Sequence, residues 1–229
     1  MKAQRRSEAL RIVRQAAAVC LGYPERDVIA TAGLIRAALA EKAARQAAAF
    51  EPLLAYWESS DLAAIQTNYV DVFDLSRKHS LYLSYWTDGD TRRRGEVLAT
   101  FKQRYRRSGF LVDTGGELPD YLPMVLEYAA IVDPVDGTAL LQQYRSSVEL
   151  LRLALLERGT PYAGVVTAVC ETLPGPSPAD RKAVMAMAVA GPPAEAVGLE
   201  PIVPGMRAEP DRAIRAEPVE VLIQLGDSR

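Results

Sequence analysis

The chain has 229 residues, 49% of them hydrophobic and 24% charged, with 27 Lys and Arg against 29 Asp and Glu for a net charge of −2. That length and balance suit one globular domain, or one domain plus a tail, and the near-neutral charge argues against a dedicated nucleic-acid binder. Two cysteines, Cys20 and Cys170, exclude a disulfide framework, and without a Cys-x-x-Cys pair or His partners they exclude a protein-built zinc or iron–sulfur site.

The period is helical from the start. Leu10, Val13, Ala17, Cys20 and Leu21 share one face of a first helix, which Gly22-Tyr23-Pro24 should end. Arg5-Arg6 has no uncharged apolar run and no small-residue cleavage site behind it, so no export signal is expected. No stretch approaches a membrane span, and a cytoplasmic protein is expected. An alanine-rich segment predicts a second helix over 26–47. Asp61 should cap another, with Leu62, Ile65, Tyr69, Val72 and Phe73 at helical spacing.

Residues 79–91 carry Tyr82, Tyr85 and Trp86 before the loop signal Asp88-Gly89-Asp90. Asp90 should cap a helix to about 109 with Val97, Leu98, Phe101 and Tyr105 inward. That face leaves Arg92, Arg93, Arg94, Lys102, Arg104, Arg106 and Arg107 mostly pointing outward. A loop over 112–120 leads to a helix from Tyr121 with Pro123 in its first turn. Asp133-Pro134 should break it. Leu141, Tyr144, Val148, Leu151 and Leu155 predict one long helix ending at Gly159, and shorter helices follow over 161–173 and 178–190. The domain is therefore expected over 1–190. Six prolines between 192 and 218 make 191–229 an expected extended tail, with Val219–Leu225 as its lone apolar run. No strand finds a partner, so the fold class is all-α.

Catalytic chemistry finds little support. His79 is the one histidine, and no Walker A, Gly-x-Ser-x-Gly or Gly-x-Gly-x-x-Gly motif occurs. No metal or cofactor site is expected. The aromatic group Tyr69, Phe73, Tyr82, Tyr85, Trp86 and Tyr121 flanks two loops. It suits either core packing or a groove for an amphipathic peptide helix, with Glu117 and Asp120 putting negative charge at the rim.

Three segments carry a resemblance: Tyr-Val-Asp-Val-Phe-Asp (69–74), Ser-Leu-Tyr-Leu-Ser-Tyr-Trp-Thr-Asp-Gly-Asp-Thr-Arg-Arg-Arg-Gly (80–95) and Gly-Glu-Leu-Pro-Asp-Tyr-Leu-Pro-Met-Val-Leu-Glu-Tyr (116–128). Together they resemble the TorD/DmsD/NarJ group of assembly chaperones, in particular its nitrate reductase delta-subunit branch, over roughly residues 7–190. The resemblance implies an all-helical cytoplasmic chaperone without catalysis, expected as a monomer. Its implied partner is the N-terminal segment of the catalytic alpha subunit of nitrate reductase, held while the molybdenum cofactor is inserted and before membrane attachment. The partner-binding residues it implies are Tyr69, Val72 and Phe73, then Pro119, Asp120 and Tyr121; the groove reading adds Leu81, Tyr82, Tyr85, Glu117 and Leu122 as expected partner-binding residues. Tyr121 stands where many of the wider group carry histidine, which removes a titrating imidazole from the site. The alternative is a maturation factor that binds a nucleotide or pterin phosphate through Arg92–Arg94, with Glu117 and Asp120 beside it.

Overall fold

The computed structural model describes residues 2–89, 92–109 and 116–190. Twelve α-helices carry the fold among them, with no strand; an isolated antiparallel bridge joins Tyr82 to Tyr121. Helix α1 (Lys2–Leu21) is central and buries Val13, Ala16, Ala17, Cys20 and Leu21. It packs on α3 (Ala32–Lys42), α8 (Leu122–Glu127) and α11 (Tyr162–Glu171). Cys20 and Cys170 are both core residues, and burial pushes both thiols well above the ordinary range.

The alanine-rich segment is not one helix. It divides into α2 (Arg26–Ala30), α3 and α4 (Ala44–Ser59), because Thr31 turns its hydroxyl back onto the Val28 carbonyl and Ala43 leaves helical geometry at φ −140°. Alanine favours helix everywhere and so marks no boundary within a helical run. Helix α4 also accommodates Pro52 and seats Phe50, Leu53, Leu54 and Trp57 in the core. Helix α11 crosses α4 at very short range: a Cβ on Gly164 would lie 1.9 Å from the Ala49 carbonyl oxygen.

Helix α5 (Leu62–Tyr69) starts at Asp61, whose carboxylate accepts the Ala64 N–H at 2.8 Å. It runs into a π-helical turn at Val70–Asp74, closed by the Leu75 N–H on the Val70 carbonyl at 2.9 Å. A 3-10 turn (Arg77–His79) and the short α6 (Tyr85–Asp88) precede α7 (Arg92–Arg107). Helix α8 begins with Pro123 in its first turn and also ends in a π-helical turn, Tyr128–Val132. Asp133 does more than stop it: its carboxylate caps α9 (Pro134–Gln143) by accepting the Val135 and Asp136 N–H groups. The expected long helix to Gly159 breaks at Tyr144 (φ −101°, ψ 22°), so α10 (Arg145–Arg158) is separate from α9. Gly159, at φ +71°, closes α10 in the left-handed conformation that suits glycine.

Helix α12 (Arg181–Ala190) is held through the preceding loop. Arg145 donates to the Gly175 and Pro176 carbonyls and Arg152 to that of Pro178, while buried Glu149 holds both arginines. Asp90, residues 112–115 and the stretch 191–229 with Val219–Leu225 lie outside the described residues. No helix among those described is long and apolar enough to cross a membrane.

Candidate functional site: an aromatic cleft

The end of α5, the 76–85 segment and the start of α8 enclose an open cleft of about 530 Å³. Its floor follows from the π-helical turn. Residues i and i+5 of an α-helix point about 140° apart, whereas the wider turn brings Tyr69, Phe73 and Asp74 all to the same opening. Phe73 packs on Tyr69 and on Tyr162 of α11, each ring 4.9 Å away.

Two segments distant in sequence close the far side. The Leu122 N–H donates to the Leu81 carbonyl at 2.8 Å and the Leu83 N–H to that of Asp120 at 3.0 Å. Between these bonds Tyr82 and Tyr121 face each other with ring centres 5.6 Å apart. The Tyr69 hydroxyl donates to the Leu21 carbonyl at 3.0 Å, at the last turn of α1, and meets the Tyr121 hydroxyl at 3.1 Å. Burial pushes the Tyr121 phenol up to about 12, the Tyr69 hydrogen bond pulls it part of the way back, and the charges of Glu117 and Asp74 add to the rise. Tyr69 is raised further, chiefly by burial. Both are therefore neutral hydroxyls at physiological pH.

Of the expected residues, Tyr69, Phe73, Leu81, Tyr82, Tyr85, Glu117 and Tyr121 line this cleft. Val72, Pro119, Asp120 and Leu122 do not. Val72 and Leu122 are core side chains, and the Pro119 carbonyl accepts the buried Tyr105 hydroxyl at 2.7 Å. Asp120 corrects the expectation of a rim charge. It is fully buried, and one carboxylate oxygen accepts the Ser84 N–H at 3.0 Å and the Ser84 hydroxyl at 2.6 Å. A rim charge would sit in water; this one fixes the 80–85 segment from beneath.

The arginine cluster also departs from expectation. Arg92 and Arg93 are exposed on α7, but Arg94 turns inward. Its Nε donates to Ser84 Oγ at 3.2 Å, it lies 3.8 Å from Asp120, and its guanidinium sits over Tyr82 and Tyr85 at 5.7 and 5.8 Å. The three arginines therefore do not converge on one phosphate. His79 is structural, its Nδ1 3.0 Å from the Val72 carbonyl and its ring buried.

The cleft includes residues that sequence reasoning did not place in it: Tyr23, Asp74, Ser76, Arg77, Ser80 and Arg94. Tyr23 lies in the Gly-Tyr-Pro turn, read only as a helix stop, yet its ring meets Tyr69 edge-on at 5.4 Å. Asp74 and Glu117 supply negative charge on the wall. The Asp74 carboxyl is raised by burial and by the charge of Glu117, which itself accepts the Tyr82 hydroxyl at 2.6 Å. Among the described residues no three His, Cys, Asp or Glu side chains gather as a metal-holding cluster. The site offers an apolar aromatic floor, a charged rim and backbone held rigidly on both sides, which is equipment for binding.

Comparison with known proteins places these features. The profile of the nitrate reductase delta subunit family matches residues 36–168, a span containing every expected site residue. The chain is 42% identical over 161 residues to the nitrate reductase-like protein NarX of Mycobacterium tuberculosis, covering 70% of this chain and 24% of that protein. It thus spans about a quarter of that relative's length. A Bacillus subtilis protein described as a nitrate reductase molybdenum cofactor assembly chaperone, NarJ, is 35% identical over 146 residues, covering 62% of this chain and 78% of that one. A solved structure from Archaeoglobus fulgidus, described as a redox enzyme maturation protein, superposes with a TM-score of 0.54 at 19% identity, covering 70% of this chain and 91% of that one. At that identity it shows the shared all-helical fold.

Proposed function

The chain belongs to the nitrate reductase delta subunit family, and from that premise we propose that it is an assembly chaperone, not an enzyme, which holds a segment of the catalytic subunit of nitrate reductase in the aromatic cleft. The observation that carries this reading is the open cleft between Phe73 and the Tyr82–Tyr121 pair, drawn from all three motif segments. The client segment is the N-terminal one, an amphipathic helix presenting apolar anchors at i, i+3 and i+4. The chaperone acts as a monomer in the cytoplasm, on the subunit before it receives molybdenum cofactor and attaches to the membrane. Asp74 and Glu117 suit a basic flank on that helix.

The energetics favour a releasable complex. Each large anchor buried in the cleft contributes about 1.5–3 kcal/mol, and ordering the segment costs about 2–5 kcal/mol. Three or four anchors leave a net gain sufficient for specific binding and small enough for the mature subunit to depart. Calorimetric titration of the client's N-terminal peptide tests this. Phe73→Ala and Tyr121→Ala should weaken binding by about ten- to a hundredfold, since each 1.4 kcal/mol is a factor of ten, while helical circular dichroism persists. Unchanged affinity in both folded variants would remove the cleft from the mechanism.

A further inference from the structure

A second cavity, of about 240 Å³, lies away from the cleft between α1 and the start of α9. Arg6, Arg11 and Arg14 line it, together with Pro134 and Thr138. Arg14 is 2% exposed and donates only to uncharged acceptors: Thr138 Oγ1 at 2.7 Å, Thr172 Oγ1 at 3.2 Å, and the Thr172 and Ala129 carbonyls at 3.4 and 3.5 Å. A buried cation is costly unless an anion answers it. Desolvation accordingly lowers Arg14 to about 10, with no carboxylate raising it.

Arg11 is aimed by the π-helical turn that ends α8. Its Nε donates to the Ala130 carbonyl at 2.6 Å, while its two terminal nitrogens make no hydrogen bond among the described residues. Arg6 carries no ion pair there either. Among the described residues, none of the acids on the surrounding elements pairs with these arginines; the Glu127 carboxyl of α8 is raised by burial alone. Glu8 holds Lys42 at 3.2 Å, Asp133 caps α9, Asp136 takes Arg104 and the Tyr128 hydroxyl, and Glu171 takes Gln46. Three arginines thus line a small cavity, and no carboxylate forms an ion pair with any of them among the described residues.

We propose that this cavity is a binding site for a phosphate group, free or as a monoester. Guanidinium forks match phosphate oxygens in pairs, and the cavity admits one such group with a small substituent. The site is independent of the peptide cleft, with which it shares no lining residue.

Thermal unfolding of the full chain at fixed ionic strength tests the proposal, using inorganic phosphate, glycerol 3-phosphate and chloride. At tenfold saturation either phosphate should raise the midpoint by about 3–6 °C, and chloride should not. A tighter half-maximal effect with glycerol 3-phosphate than with inorganic phosphate would identify the monoester as the favoured source, and the reverse order the free ion. Arg6→Gln combined with Arg11→Gln, both exposed, should abolish the rise and leave the unliganded fold intact. An equal rise in that double variant, or none in the wild type, would overturn the assignment.

Discussion

Asp120 and Asp74 sit beside the same cleft and play opposite parts. Asp120 is sealed in and hydrogen-bonded to both the amide and the hydroxyl of Ser84, so it maintains the position of the cleft wall. Replacing it with Asn keeps an acceptor oxygen for Ser84 but removes the buried charge that strengthens those bonds and faces Arg94 at 3.8 Å. We expect Asp120→Asn to destabilise the fold by about 1–3 kcal/mol in denaturant titration. Asp74 works against stability as pH rises. Burial and the Glu117 charge hold its carboxyl above the usual carboxylate range. An acid whose folded pKa exceeds its unfolded one binds more protons when folded, so stability falls as pH climbs from the ordinary carboxylate range through the raised value. Asp74→Asn should therefore raise the unfolding midpoint at neutral pH, and the two midpoints should converge in acid below that range. A midpoint difference that does not vary with pH would contradict this.

Among the elements, helix contacts rather than helix propensity decide where residues matter. Gly164 lies where α11 crosses α4, and a Cβ there would run into the Ala49 carbonyl. Gly95 lies within α7 with no atom within 4 Å of its Cβ position. The same substitution should therefore have opposite effects. Gly164→Ala should cost at least about 1–3 kcal/mol by forcing the helices apart, whereas Gly95→Ala should add about 0.5–1 kcal/mol by favouring the helix. Buried Glu149 between Arg145 and Arg152 offers a third case. Glu149→Gln leaves two cations without their shared anion and should cost about 3–5 kcal/mol, loosening the loop before α12. Comparative thermal unfolding of the three variants checks the order.

For the molecule as a whole, the helical class and several boundaries were legible in the sequence because they are set locally. Asp61, Pro123 and Gly159 act through their own backbone neighbours, and each functions as its residue type predicts. The breaks at Thr31, Ala43 and Tyr144 were hidden, since apolar periodicity continues across them and tertiary packing sets where the chain turns. Both π-helical turns were equally hidden, for one residue more per turn leaves no compositional mark. In the cleft, sequence named the aromatic residues but not their depth. Asp120 and Arg94 looked like surface charges, and only the packed structure puts them against each other behind the tyrosines. Tyr23 carried no signal beyond a turn, because its role depends on α1 ending beside α5.

The central claim is that the client occupies this cleft. It is tested most directly by placing a photoreactive benzophenone side chain at Tyr85 on the cleft wall, and separately at the exposed positions Leu34 of α3 and Met185 of α12. Each protein is irradiated with the N-terminal peptide of the nitrate reductase catalytic subunit. The account predicts a cross-linked product from position 85 that excess unlabelled peptide suppresses, and none from positions 34 and 185. Cross-linking from position 34 or 185 with none from 85 would contradict it.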